Sequence, residues 1–169
     1  MNLPLATTDV WALKGDFNAA SFLHQLKLIL CDGDVIALGI YSPTARLRNT
    51  LIALGAEELD AGRIYNVCFG YNRTEHPNGR SFELIMNATN LAALMIEAER
   101  TDGQDDKPLF FDHVVAYRRG TPVLPLLSFH DAFYGGELWI SALYPEATIK
   151  AFAVGLPSNC ALQLNPENF

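Results

Sequence analysis

The run Val35-Ile36-Ala37-Leu38-Gly39-Ile40-Tyr41 constrains the fold of this chain more than any other segment. It carries no charge, an acidic turn precedes it (Cys31-Asp32-Gly33-Asp34), and Ser42-Pro43 ends it. Such a run reads as a β-strand buried on both faces, which places it in the interior of a sheet.

The segments around it fill in an alternating order. Before it, Ala19, Phe22, Leu23, Leu26 and Leu30 recur at helical spacing over 19–30. Asn18 reads as the N-cap, Phe17 as a staple onto Phe22, and His24, Gln25 and Lys27 are left for solvent. After it, Ser42 and Pro43 read as a cap and first helical residue, and a stripe of Leu47, Leu51 and Leu54 stops at Gly55. Residues 63–71 and 81–86 read as strands joined at Asn78-Gly79 into a hairpin. Thr89 or Asn90 caps a further helix whose apolar face is Leu91, Leu94, Met95 and Ala98. Strands at 109–117, 123–130 and 137–143 follow, then a short helix opened by Pro145 and closed by Gly155.

From 35 to 117 the order is strand, helix, strand, strand, helix, strand. That order predicts an α+β fold with a ferredoxin-like, split-βαβ core, an N-terminal helix and a C-terminal strand-strand-helix extension at 123–155, with 158–169 as a tail. The added strands extend the sheet, cover its edge, or form a meander of their own. With 169 residues, 50% hydrophobic and 18% charged, the chain suffices for one domain over 1–169 without disulfide or metal staples.

A net charge of −7 and scattered basic residues oppose nucleic-acid binding. Cys31, Cys68 and Cys160 are odd in number and unpaired by spacing, as in a reduced, cytoplasmic protein. The first residues lack a signal-peptide pattern, and no uncharged apolar run nears the roughly 20 residues that a membrane span requires.

Proton-transfer and metal-ligand groups gather in the predicted 109–130 hairpin as Asp112-His113 and His130-Asp131. Adjacent strand residues face opposite ways, so neither dipeptide is a dyad by itself. His113 is expected on a face with Leu109, Phe111, Val115 and Tyr117, and Asp112 on the other. Which residues meet across the hairpin depends on register. A tight turn at Arg119-Gly120 sets His113 opposite Leu126 and about 13 Å from His130. Pairing Tyr117 with Leu124 reduces that to roughly 7 Å, and one further step puts His113 and Asp131 on one face. The last two registers allow a His/His metal pair or a His/Asp acid-base pair, while Pro125 implies an edge strand or a bulge.

Asp112, His113, His130 and Asp131 are therefore the catalytic candidates. Tyr71, Arg73 and His76 in the loop before 81, with Tyr134 in the Phe133-Tyr134-Gly135-Gly136 turn, are the ligand-binding candidates. Asp32-Gly33-Asp34 lacks the remaining ligands of a calcium loop and reads as a turn. Phosphate-loop, dinucleotide-binding, serine hydrolase and zinc protease motifs are absent from the sequence, and no cofactor or metal is assigned.

Asp112-His113-Val114-Val115-Ala116-Tyr117, followed by Phe129-His130-Asp131-Ala132-Phe133, resembles uncharacterised bacterial proteins with a D-H-x-x-x-Y strand and an [WF]-H-D-A-F segment. The likeness extends to 28–42 and spans about half the chain, and it implies no activity and no residue role. The leading expectation is a non-catalytic interaction or small-ligand-binding module, forming a homodimer through a sheet edge or face. The rival is a small enzyme, a hydrolase, using His113 with His130, Asp131 or a metal.

Overall fold

All six residues of the strand Val35–Ile40 are buried in the structure, a computed structural model that describes residues 9–15, 18–59, 79–100, 111–120, 124–129, 137–156 and 161–164. Among the described residues eight strands form one sheet: β1 (Val10–Lys14), β2 (Val35–Ile40), β3 (Glu57–Leu59), β4 (Arg80–Ile85), β5 (His113–Arg118), β6 (Leu124–Phe129), β7 (Glu137–Ser141) and β8 (Ala161–Leu164). Their spatial order is β3-β4-β2-β5-β6-β7-β1-β8, and every neighbouring pair is antiparallel. As its sequence requires, β2 is interior, with β4 on one side and β5 on the other. The expected partner of β4 at 63–71 lies outside the described residues.

Four helices accompany the sheet among the described residues: α1 (Ala19–Gln25), α2 (Ala45–Ala53), α3 (Ala88–Glu99) and α4 (Glu146–Val154). Asn18 caps α1 as read, its side chain accepting from Ser21 N–H at 2.8 Å, although the α-helix gives way to a 3-10 turn at Leu26–Leu28. Gln25 is buried rather than solvated, and its amide lies against Gly155 where a Cβ would stand. The α2 cap is Thr44, not Ser42, and accepts from Leu47 N–H at 3.2 Å. The α3 cap is Asn87, not Thr89 or Asn90, and accepts from Asn90 N–H at 2.8 Å. The freed Asn90 amide then donates to the Ile85 carbonyl, tying the helix start to the end of β4. Pro145 and Gly155 bound α4 as its sequence predicts.

All four helices lie on one face. Ile36, Leu38 and Ile40 of β2, Phe82 and Leu84 of β4, Val114 and Ala116 of β5, Leu127 and Phe129 of β6, and Leu138 and Ile140 of β7 share one apolar cluster with Phe22, Leu51, Leu94 and Phe152 from the helices. Phe22 sits where these elements converge, with ring centroids 5.8 Å from Phe111, 5.4 Å from Phe129 and 6.3 Å from Phe152.

Three strand-helix-strand crossovers each straddle one antiparallel strand: β2-α2-β3 around β4, β4-α3-β5 around β2, and β7-α4-β8 around β1. The segment after β5 therefore extends the sheet, as β6 and β7, instead of covering its edge. Strand β1, which sequence reading did not anticipate, is held between β7 and β8.

Candidate functional site

Strand alternation divides β5 cleanly: Val114 and Ala116 point at the helices, and His113, Val115 and Tyr117 at the opposite face. The alternation breaks just before the strand. Phe111, expected to share a face with His113, instead packs on Phe22 on the helix side. Asp112 bends the chain between them, its N–H donating to the Gly39 carbonyl at 2.9 Å and its Oδ2 accepting from Tyr41 N–H at 2.6 Å. The Tyr41 ring meets the His113 imidazole edge-on at 5.0 Å. Asp112 thus fixes the backbone of the residue whose ring packs on His113. His113 itself is 2% exposed.

The hairpin register differs from each of the three considered from the sequence. Arg118 pairs with Leu124 and Tyr117 with Pro125, matching the most shifted of them at the turn end. A bulge then places Leu126 as an extra residue, and Ala116, Val115 and Val114 pair with Leu127, Ser128 and Phe129. The bulge next to Pro125 is the accommodation that a proline in a non-edge strand requires. His130, Asp131 and Tyr134 lie outside the described residues, as do Tyr71, Arg73 and His76, so of the candidates only Asp112 and His113 are placed.

On the face opposite the helices the sheet carries a different chemistry. One row crosses it as Glu57, Glu83, Ala37, Val115, Ser128, Trp139, Ala12 and Gln163, each on a successive strand. Ala12, Ala37, Gly39, Ser81 and Ser128 make a floor of small buried residues. Around it stand Tyr41 and His113, Trp139, and the pair in which the Tyr117 hydroxyl donates to Glu83 Oε1 at 2.6 Å. Sequence reading put Tyr117 on the face of His113 but missed Tyr41, Glu83, Ser128 and Trp139 as members of the same surface. The signal for part of it was present in β2, where large residues at 36, 38 and 40 alternate with small ones at 37 and 39.

A second polar cluster closes the opposite end of β2 and β5. Asp34 is buried and accepts from Cys31 N–H at 2.8 Å and from Arg118 through Nε at 2.9 Å and a terminal nitrogen at 3.2 Å. Hydrogen bonding to Asp34, then its charge, raises the Arg118 pKa above the usual guanidinium value. Nearby, the Tyr144 hydroxyl donates to the Ile29 carbonyl at 2.6 Å. Burial pushes its pKa up to about 12 despite the opposing pull of Arg118. Asp34 therefore serves the turn and the ion pair, consistent with reading 31–34 as a turn. The exposed thiol of Cys31 lies at its rim.

A third carboxylate, Glu97, is buried between Arg46 of α2 and Arg100, to which it bonds at 3.1 Å. Among the described residues no group of three or more His, Cys, Asp or Glu is placed to hold a metal ion. No described helix is long and apolar enough to cross a membrane.

These arrangements differ in what they can do. The carboxylates of Asp34, Asp112 and Glu97 hold backbone groups and guanidinium ions in place, which is structural work. The face opposite the described helices gathers aromatic edges, a carboxylate, hydroxyls and an imidazole around a buried floor of small residues, which is the chemistry of recognition. Compared with known proteins, the chain matches no family model, no curated protein and no solved structure.

Proposed function

We propose that the chain is a non-catalytic cytoplasmic module that binds a small ligand or partner on the sheet face opposite the described helices, and that it works as a homodimer. One observation carries the reading: small buried residues at 12, 37, 39, 81 and 128 are ringed by Tyr41, His113, Tyr117, Glu83 and Trp139. Ligand sites combine such an apolar floor with a few placed polar groups. The order β5-β2-β4-β3, with α2 and α3 on one face, supports a ferredoxin-like core within the larger sheet. The likeness to uncharacterised bacterial proteins around His113 fits a bacterial source and adds no activity.

Amide chemical shifts recorded while small amines, carboxylic acids and nucleosides are added one at a time test this reading. Binding is expected to move resonances of residues 37, 39, 113, 117, 128 and 139 together, and to weaken in Tyr117→Phe. Shifts confined to the helix side would refute it. The second reading, a small hydrolase using His113 with His130 or Asp131, draws on the burial of His113 against Tyr41. Titrating the four histidines by NMR with and without zinc separates the two: ordinary, metal-indifferent imidazoles exclude the hydrolase.

A further inference from the structure

The two edges of the sheet are unlike. The β3 edge reads Glu57-Glu58-Leu59, and Glu58 bonds Arg48 at 2.6 Å and lies 3.5 Å from Arg80. Charges of this kind guard an edge against pairing with another strand. The β8 edge reads Ala161-Leu162-Gln163-Leu164, without a charge, and among the described residues it pairs with β1 alone. No described strand pairs with its outer backbone groups, which leaves a template for a further strand, and Leu164 is 47% exposed beside it.

We propose that two copies of the chain join edge to edge through β8, antiparallel, so that one sheet runs through both. The proposal rests on the homodimer part of the functional reading and names its contact. An antiparallel pair of identical strands has a two-fold axis normal to the sheet, so its donors and acceptors match by symmetry and both helix layers stay on the same side. Opposed residues in such a pair share a face, which admits only registers centred on a residue. Centring on Gln163 sets Leu162 against the partner's Leu164 and so covers the exposed leucine on the helix side.

Charge favours this edge over others. Each copy carries a net charge of −7, and two copies approach with least repulsion where the contacting strand has no acid. Both the short, uncharged strand and the leucine pairing make a second copy a better match than an unrelated extended peptide.

Sedimentation velocity over a range of concentrations tests the contact on the full chain. The wild type is expected to dimerise reversibly. Gln163→Lys, which opposes two like charges at the axis, is expected to weaken the dimer about tenfold or more. Glu57→Lys, on the other edge, should leave it unchanged. Far-UV circular dichroism confirms folding of each variant, and amide exchange of 161–164 in the wild type should slow as concentration rises. A dimer indifferent to Gln163→Lys, with 161–164 exchange independent of concentration, overturns the β8 contact and leaves the homodimer reading standing. A chain that stays monomeric to its solubility limit overturns both, and protection of 161–164 by an added extended peptide in that case would mark the edge as a peptide site.

Discussion

The carboxylate of Asp112 matters to His113 through an intermediary. It accepts the Tyr41 N–H, and the Tyr41 ring then packs on the imidazole. Asp112→Ala is expected to cost about 1–3 kcal/mol, the penalty for stranding a buried donor, as measured by urea unfolding. It should also shift the His113 ring resonances, because the Tyr41 ring that packs on the imidazole loses its backbone tether. Tyr144 makes a prediction of a different kind. Its folded pKa of about 12 lies above the ordinary value of 10.0, so the fold favours the protonated phenol. That contribution is complete below pH 10 and is lost as pH rises towards 12. Unfolding free energy should fall over this window, and Tyr144→Phe should fall less. Identical alkaline limbs for the two proteins would refute the assignment.

At the scale of elements, the turns that bound β2 and α2 depend on backbone conformations that glycine supplies. Gly55 has φ +86°, with open space where a Cβ would stand. Gly55→Ala is therefore expected to lose about 1–2 kcal/mol from conformational strain alone, read as a lowered midpoint at unchanged slope in denaturant. The element pattern was legible where it was local. The apolar run of β2, the Asn18 cap and the Pro145/Gly155 bounds of α4 all follow from adjacent residues. The caps of α2 and α3 were displaced because several capping residues compete within a few positions, Ser42 with Thr44 and Asn87 with Thr89 and Asn90. Strands β1, β3 and β8 were illegible for a different reason. They span 5, 3 and 4 residues, include Glu, Lys, Ala and Gln, and are fixed by partners distant in sequence. The same cause hid most of the candidate surface. Glu83, Ser128 and Trp139 come into one row only when β4, β6 and β7 take their places beside β2 and β5.

The whole molecule turns on a single packing point. Phe22 from α1 meets Phe111 ahead of β5, Phe129 from β6 and Phe152 from α4, so four regions of the chain share one residue. Phe22→Ala is expected to destabilise the protein by about 3–5 kcal/mol in chemical denaturation, more than Phe→Ala at a site bounded by fewer elements. The position of β1 carries a consequence for how the protein is made. Val10 pairs with Ser141 and Trp11 with Leu164. At ribosomal rates of about 5–20 residues per second, β1 stays without either neighbour for on the order of ten seconds after it leaves the exit tunnel. Through that interval the nascent chain displays an apolar segment with neither strand partner yet made, an early hydrophobic ligand for whatever chaperone waits at the ribosome.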